Sequence, residues 1–500
     1  MVSGPPGAGA HAGAGAGGVR IRTDGRARRV GVDGSERGRV GGAEDVGRAV
    51  AVVPWSAMTS PLGDRGTAAS PHPEPLVVRT VPLDAPDDLL SLLPEDAPLT
   101  WVRRGDGLVG WGEAARVEVA GATRFADAER AWQQVVAHAV VRDEVRLPGT
   151  GPVAFGSFAF DDASAAGGVL VVPEVVVGRR DGRAWLTVVG TAGALGPAPD
   201  WTTVARHVAG LTPVRAPGEV TYSSGSVPAE DWPEVVARGV AAIRAGEVDK
   251  VVLARDEVAT TTEPLDVRHA LGRLAERYPT CWTFSVDGLI GATPELLVRS
   301  DKGLVTSRVL AGTIRRTGDD DADLAHAAIL AHSSKDLEEH EYAVTSVARA
   351  LAPFCSSTNV PDAPFVLHLP NVLHLASDVT GVLAGAGEGG DVPHPTSLAL
   401  AAALHPTAAV CGTPTDAARA LIRRVEGMDR ARYAGPVGWV GADGDGEWGI
   451  GLRSAELDPD DPHRLRLFAG CGIVAASDPA AELAESRAKL VPMRTALATD

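Results

Sequence analysis

Cysteine is scarce in this chain: its 500 residues include four cysteines, far apart in the sequence. They form no C-x-x-C pair and have no suitably spaced histidine, as a zinc site would need, and disulfide scaffolds are far richer in cysteine. The four are Cys281, Cys355, Cys411 and Cys471. We therefore expect neither a disulfide framework nor a zinc site, and we predict a reducing, cytoplasmic environment.

Long apolar runs and an excess of basic charge are also missing. No run reaches the roughly 18 apolar residues that a membrane-spanning helix needs. The formal net charge is −17, whereas a general nucleic-acid binder presents a basic face to the phosphate backbone. Neither membranes nor nucleic acids are therefore expected partners.

Lysine is the third scarcity, because 43 of the 47 basic residues are arginine. Arginine cannot lose its proton at ordinary pH, so a basic side chain that must act in its neutral form has to be a lysine. The four lysines are Lys250, Lys302, Lys335 and Lys489. Each is therefore a candidate functional residue.

Residues 1–75 differ in composition from the rest of the chain. They include the low-complexity run GPPGAGAHAGAGAGG, and arginines scattered between residues 20 and 39 show no helical or strand period. Interspersed acids do not fit a targeting presequence. We predict a disordered extension, or a start codon assigned too early, with Met58 as the alternative start.

From about residue 76 the pattern is typical of an α+β protein. β-like runs, among them 251–260 and 447–457, and separate helices, the last at 479–497, follow one another. No strand leads into a G-x-G-x-x-G motif, as a doubly wound nucleotide-binding sheet would show. The segment 190–230, rich in Pro, Gly and Thr, is predicted to link an N-terminal half (76–230) to a C-terminal half (231–497).

Two pairs of acids have a spacing that suits metal binding. Asp336 and Glu339 are three residues apart in one predicted helix, and Glu482 and Glu485 are three apart in the last helix, so each pair shares a helical face. Two such pairs could close on one hard cation. Each pair could equally be a solvated acidic face, so the spacing by itself leaves a metal site open.

Groups that suit an anion lie near the second pair. Lys489 follows Glu485 by one helical turn, and the small residues of AGCG (469–472) would let backbone N–H groups approach an anion. Arg453 could grip a carboxylate with two parallel hydrogen bonds. Together these groups suggest a substrate that carries two carboxylates.

Two further residues suit proton transfer. Lys250 begins the apolar run VVL, and a lysine that faces a dry pocket favours its neutral form and can act as a general base. Glu295 lies in the apolar segment GATPELLVRS, and burial without a cation would keep its proton, as a general acid requires. The alternatives are a lysine that reaches solvent and an ordinary strand-end carboxylate.

Nine ordered blocks resemble the chorismate-utilising enzymes, which include isochorismate synthases, salicylate synthases and the large subunits of anthranilate and aminodeoxychorismate synthases. The resemblance covers roughly 76–497 and implies a single large α+β domain with two facing, mostly antiparallel sheets flanked by helices. The blocks are VDKVVLAR (248–255), GATPELLVR (291–299), LAGTIRR (310–316), SKDLEEHE (334–341), LHLASDVTG (373–381), HPTAAVCGTP (405–414), YAGPVGW (433–439), GEWGIGLRSAEL (446–457) and FAGCGIVAASDPAAELAESRAKL (468–490).

The resemblance also implies a ligand set. Glu339 and Glu485 match the residues that hold Mg2+ on the ring carboxylate of chorismate in the family, with Asp336 and Glu482 as supporting acids. The implied substrate-binding residues are Thr313, His374, Tyr433, Arg453, Gly470, Gly472 and Lys489. Arg453 and Tyr433 match the site of the enolpyruvyl carboxylate, and for His374 a structural role is as probable as contact with the ring.

Two positions indicate water as the nucleophile. Members of the family that use water carry a lysine where this chain has Lys250, and aminodeoxychorismate synthases carry a lysine where it has Ala311. The resemblance therefore predicts an isochorismate synthase, an isomerase in which Lys250 activates water and Glu295 protonates the departing C4 hydroxyl.

Other functions stay open at this point. A salicylate synthase, which goes on to eliminate pyruvate, shares most of these motifs, and a non-catalytic chorismate-binding relative would keep the ligand site without the chemistry. We expect a monomer without an amidotransferase subunit. Composition favours menaquinone biosynthesis slightly over the siderophore and salicylate pathways.

Overall fold

The computed structural model describes residues 19–22, 75–191, 193, 199–385 and 394–499. Most of the predicted extension 1–75, including Met58, lies outside the described residues. Arg20–Arg22 form a strand, β1, that pairs antiparallel with residues 116–118. The sequence shows no strand period between residues 20 and 39, because a strand of three residues is too short to show one.

Two large sheets form the centre of the fold in the described ranges. The first contains 11 strands, in the spatial order β1 (Arg20–Arg22), β5 (Ala115–Val119), β8 (Gly168–Val172), β7 (Val153–Phe158), β21 (Pro436–Gly441), β22 (Gly446–Ile450), β15 (Leu296–Asp301), β16 (Leu304–Arg315), β19 (Val372–Leu383) and β17 (Cys355–Asn359), with β18 (Phe365–His368) also paired to β19. Its described pairings are antiparallel.

The second sheet contains 13 strands, in the order β11 (Val220–Ser224), β12 (Lys250–Thr261), β24 (Asp461–Ile473), β23 (Ser454–Asp458), β14 (Leu289–Thr293), β13 (Trp282–Val286), β3 (Leu99–Arg103), β4 (Asp106–Trp111), β9 (Val175–Arg180), β10 (Arg183–Thr191), β2 (Leu76–Leu83) and β6 (Val140–Asp143), with β20 (Gly412–Thr413) on β12. Within the described pairs, β2 with β6 is the one parallel pairing. The predicted α+β class with mostly antiparallel sheets is confirmed.

Nine α-helices flank the sheets in the described part of the chain. They are α1 (Arg124–His138), α2 (Trp201–Ala209), α3 (Trp232–Arg244), α4 (Val267–Arg277), α5 (Asp320–His332), α6 (Ser334–Leu351), α7 (Ser397–Leu404), α8 (Thr415–Val425) and α9 (Pro479–Leu497), with short 3-10 turns at Leu90–Leu92 and Ala352–Phe354. Among these described helices, none combines the length and the apolar character needed to cross a bilayer. The four cysteines are free, as expected.

The two halves of the chain share both sheets. In the second sheet β3 pairs with β13, and in the first sheet β7 pairs with β21, so each sheet joins strands from 76–230 to strands from 231–497. The predicted linking segment 190–230 is more structured than expected, because it contains α2 and β11. Its Pro and Gly residues concealed two short elements that tertiary packing stabilises.

One predicted β run turns out to change sheets. Residues 447–457 contribute β22 to the first sheet and β23 to the second. The chain crosses between the sheets at 451–453, where Arg453 adopts a left-handed backbone with φ of 48°. Such a conformation is uncommon for a residue other than glycine. The crossing therefore places the Arg453 side chain at the junction of the two sheets.

The core between the first sheet and its flanking helices α1 and α7 depends on large aromatic side chains. Trp448 is fully buried, and a Cβ on Gly156 would lie 2.7 Å from its ring. Phe158 packs beside that ring at a centroid distance of 5.8 Å. Glycine at position 156 is therefore required for this ring to lie flat against the sheet.

We expect Trp448→Ala to lower the free energy of unfolding by about 3–5 kcal/mol, because it leaves a cavity that the first sheet and its flanking helices cannot fill. Urea unfolding followed by circular dichroism measures this loss. Trp201→Ala is the matched control, since Trp201 is 46% exposed, and a change below about 1 kcal/mol is expected there. Equal losses in the two variants would contradict the packing analysis.

Candidate active site

A cavity lies where β12 and β24 of the second sheet approach β16 and β19 of the first. α6 and α9 supply side chains to its wall. The predicted residues that line it are Glu295, Thr313, Glu339, His374, Tyr433, Arg453, Gly470, Gly472 and Lys489. Lys250 and Glu485 lie directly behind this lining through contacts with Glu339 and Lys489.

Lys250 is completely buried at the start of β12. Its Nζ lies 3.1 Å from Glu339 Oε1, although the angle is not that of a good hydrogen bond, and none is found for this amine within the described residues. A lysine that reaches solvent is therefore ruled out. Burial of an ammonium group is costly without an acid beside it, and Glu339 is that acid.

Glu295 lies at the junction of β14 and β15 with only 4% of its surface exposed. Burial raises the pKa of its carboxyl to about 8, against the opposing effects of the Leu310 amide and of Lys250 and Arg453. The carboxyl is therefore mostly protonated near neutral pH. A group in this state can donate a proton, whereas an ordinary carboxylate cannot.

Arg453 is held by a short chain of polar groups. Its Nη2 lies 3.0 Å from His374 Nε2, and His374 Nδ1 lies 3.0 Å from Thr313 Oγ1. Because a guanidinium only donates, Nε2 accepts and the ring proton is on Nδ1. Burial, followed by the charges of Arg453 and Lys489, places the pKa of His374 well below its usual value. His374 is thus a neutral ring that orients Arg453.

Lys489, on α9, is a cationic group in the cavity wall. Its Nζ lies 2.6 Å from Glu485 Oε1 and donates to the Gly470 carbonyl oxygen at 2.9 Å. Burial opposes the charged amine, but Glu485 outweighs it and raises the pKa of Lys489. This amine therefore stays cationic and suits a carboxylate ligand. Tyr433 completes this side of the cavity by stacking on Phe468.

Four carboxylates from two helices lie at the wall of the cavity, with Glu339 on its lining, and their charges act on one another. Burial raises the pKa of Asp336 and of Glu482. The charge of Glu485 adds to both shifts, and the charge of Glu339 adds to that of Asp336. Burial also opposes ionisation of Glu339, but Lys250 outweighs it and lowers the pKa of that carboxyl. Crowded carboxylates of this kind are relieved by a divalent cation, which fits the donor set that Mg2+ prefers.

A different geometric grouping places Cys471 Sγ with Glu482 and Glu485, their ligand atoms all within 4.8 Å of one another. We favour the four carboxylates as the ligand set. Burial keeps the pKa of the Cys471 thiol well above its usual value, and the thiol donates to the Glu482 carbonyl oxygen. A neutral thiol is a poor ligand for a hard cation.

Gly472 is required for Glu339 to reach the cavity. A Cβ at this position would lie 2.0 Å from Glu339 Oε1, far inside van der Waals contact. A Cβ at Gly470 would lie 3.2 Å from the Tyr433 hydroxyl. The two glycines, predicted as sites of close backbone approach to an anion, thus also make room for neighbouring side chains.

The sequence analysis missed Arg430, which also lines the cavity. It forms a buried ion pair with Glu426, four residues earlier. The four-residue spacing of Glu426 and Arg430, just after α8, is visible in the sequence. The same spacing is common in exposed helical ion pairs, so it does not identify a buried pair. Burial alone separates the two cases.

The chain is similar in sequence to known chorismate-binding enzymes. A family model described as chorismate binding enzyme matches residues 95–498. Isochorismate synthase DhbC of Bacillus subtilis is 41% identical over 292 residues, which cover 56% of this chain and 71% of DhbC. The salicylate biosynthesis isochorismate synthase of Pseudomonas aeruginosa is 35% identical over 427 residues, covering 80% and 84%.

A solved structure is also similar over nearly the same span. The menaquinone-specific isochorismate synthase MenF of Escherichia coli superposes with a TM-score of 0.66 at 26% sequence identity. The match covers 85% of this chain and 95% of MenF. The likeness thus extends over both halves of the fold.

We expect Gly472→Ala to displace Glu339 and reduce turnover of chorismate by about 100-fold or more, since a shift of about 1 Å has effects of this size. Turnover and Mg2+ affinity by calorimetry measure the effect. Gly272→Ala is the control, because a Cβ at Gly272 in α4 would meet open space; it should keep full activity. Wild-type activity of Gly472→Ala would refute the steric argument.

Proposed function

This chain belongs to the chorismate binding enzyme family, and we propose that Lys250 and Glu295 carry out its conversion of chorismate to isochorismate. The enzyme is an isomerase, an isochorismate synthase: one water attacks C2, the C4 hydroxyl leaves as water, and the ring double bonds shift between them. The observation that carries the assignment of roles is a fully buried lysine directly behind the cavity wall and, on that wall, a buried glutamate whose pKa burial raises to about 8.

The two groups have opposite tasks. To accept a proton from the water that attacks C2, Lys250 must first give up the ammonium proton that it holds beside Glu339. Glu295 donates its proton to the departing C4 hydroxyl. Both charge changes occur in a site from which bulk water is excluded, where fixed groups act most strongly. General acid–base assistance contributes about 10²–10⁴-fold per group.

Binding of the two substrate carboxylates would use the cations of the cavity. Arg453, oriented by His374 and Thr313, suits the enolpyruvyl carboxylate, with Tyr433 beside it. Lys489 suits the ring carboxylate. The support for this arrangement is that both cations lie on the lining of the same cavity, Arg453 buried and the Lys489 side chain only 12% exposed.

A magnesium ion fits the acids at the cavity wall. We propose that Glu339 and Glu485 hold it, supported by Asp336 and Glu482. When bound, the ion would neutralise the ring carboxylate and help to orient it. The like charges that raise the pKa of Asp336 and Glu482 support a cation at this place.

Salicylate synthase is the second candidate, because elimination of pyruvate from isochorismate would need no further cofactor and Tyr433 is compatible with it. Incubation of the purified enzyme with chorismate and Mg2+ decides between them. Accumulation of isochorismate supports the synthase, and fluorescence of free salicylate would show the lyase step. Repeating the incubation with ammonium tests for an aminated product, and chelation of Mg2+ should abolish turnover.

Other properties remain part of the proposal. We propose that the enzyme acts as a monomer in the cytoplasm, without an amidotransferase subunit. On composition we place it in menaquinone biosynthesis, with the siderophore and salicylate pathways as the alternatives. The absence of turnover in every incubation would instead indicate a non-catalytic chorismate-binding relative.

We expect Lys250→Ala and Glu295→Gln each to lower kcat by about 10²–10⁴-fold while the protein stays folded, since each removes one proton-transfer group. A coupled isochorismate assay measures the loss. Lys302→Ala and Glu174→Gln are matched controls outside the cavity, and they should retain activity. Near-wild-type rates for either active-site variant would reject the role assigned to that residue.

The pH dependence follows from the ionisation of Glu295. Its pKa of about 8 means that the protonated, proton-donating form dominates below pH 8 and is lost as the pH rises beyond it. We therefore expect kcat/KM to fall on the alkaline side of about pH 8, roughly tenfold per pH unit. A profile that stays flat up to pH 10, with the protein still folded, would contradict the role of Glu295 as an acid.

A further inference from the structure

The strand that carries Lys250 is incompletely paired on one edge. β24 pairs with one side of β12 from residue 251 to 260. On the other side β20 pairs with residues 250–251 and β11 with residues 257–261. Between these two segments no strand of the described chain pairs with β12. Buried backbone groups without partners are costly, so something else must satisfy them.

Side chains and one loop carbonyl take the place of the missing strand. The Val252 amide donates to the Cys411 carbonyl oxygen at 2.8 Å, and the Val252 carbonyl oxygen accepts from Arg430 Nη2 at 2.7 Å. The Ala254 amide donates to Glu426 Oε2 at 3.0 Å. Trp232 Nε1 donates to the Ala254 carbonyl oxygen at 3.1 Å. Every polar backbone group on this edge of Val252 and Ala254 is thus satisfied.

Glu426 and Arg430 form one rigid unit. Arg430 Nε donates to Glu426 Oε1 at 2.6 Å and Nη2 donates to Oε2 at 2.5 Å. Arg430 Nη1 also donates to the Val410 carbonyl oxygen at 2.9 Å, and the guanidinium packs over Phe160 with 4.3 Å to the ring centroid. The pair therefore joins β12 to the loop that contains Val410, and both Val252 and Val410 line the cavity.

A gain in folding stability does not by itself explain why this ion pair is buried. Glu426 and Arg430 are 0% and 3% exposed, and replacing a buried ion pair by well-packed apolar residues is often neutral or stabilising. A pair that holds a strand edge by its backbone has a geometric effect that an apolar pair would lack. Arg430 binds the backbone of Val252, which is two residues from Lys250. The position of the pair can therefore affect the position of the Lys250 amine.

We propose that Glu426 and Arg430 are positioning residues for the attack of water. They fix the edge of β12 at Val252 and Ala254, and thereby set where Lys250 places its amine relative to the substrate. The inference rests on the proposed role of Lys250. Arg430 itself is assigned no contact with the reacting atoms, because four of its five N–H groups are already used within the protein.

Arg430→Lys tests the proposal directly. Lysine keeps the charge beside Glu426 but cannot bridge Glu426, Val410 and Val252 at once, since it lacks the planar fork of arginine. We expect kcat to fall about 10–100-fold, as for other small misplacements of a reacting group, while KM changes less than about threefold. A tenfold rise of KM at unchanged kcat would overturn the proposal and make Arg430 a substrate contact.

A matched control separates positioning from general stability. Arg268 forms a comparable buried pair with Asp266 at the start of α4, on residues that do not line the cavity. Arg268→Lys should lower the melting temperature to a similar extent and leave kcat of the folded enzyme unchanged. If Arg268→Lys lowers kcat as much as Arg430→Lys does, the effect is one of stability and the proposal fails.

A double-variant comparison links the pair to Lys250. If Arg430 acts through Lys250, the double variant Lys250→Ala with Arg430→Lys should have the same kcat as Lys250→Ala alone. Losses that multiply in full would overturn the positioning role. A wild-type rate for Lys250→Ala alone would instead reject the proposed function of Lys250, which separates the two failures.

Glu426→Gln provides the same test if Arg430→Lys does not fold. The amide keeps the shape and an acceptor for the Ala254 N–H but weakens the grip on Arg430. We expect a fall of about tenfold in kcat, the size of one weakened charged hydrogen bond, at unchanged KM. Unchanged kcat in a folded Glu426→Gln enzyme would overturn the proposal.

Discussion

Burial of Lys250 beside Glu339 is the constraint on which the rest of the site depends. An ammonium group without solvent needs an acid at short range, and the acid comes from α6, a helix that must therefore lie close to the start of β12. Gly472 must lack a side chain for Glu339 to reach that position. The edge of β12 must also be held without a complete strand beside it, which Glu426 and Arg430 achieve.

Some residues that line the cavity are neutral and others are charged. Glu295 and His374 are kept neutral by burial, although one is an acid and the other a base. Lys489 stays charged because Glu485 lies 2.6 Å away. A proton donor, a neutral ring that orients Arg453 and a permanent cation can therefore coexist around one small molecule, each in the ionisation state that its task requires.

The sequence predicted most elements well, because their signals are local. The last helix was expected at 479–497 and is found there, and β12 follows the predicted apolar run closely. The assignment of strands to sheets was not predictable in the same way. The run 447–457 has one continuous β pattern, yet it divides between two sheets at Arg453, because only the packing of the sheets against each other requires the crossing.

The sequence by itself determined the family, the reaction class and the identity of nine of the residues that line the cavity, because ordered blocks of residues carry that information without coordinates. Tertiary structure alone decided the ionisation of those residues and their partners. Burial sets the proton on Glu295, and contacts across long stretches of chain, such as Lys250 with Glu339 and Arg430 with Val252, set the geometry. Desolvation and short-range electrostatics depend on what surrounds a group in space, and neighbours in sequence do not reveal that.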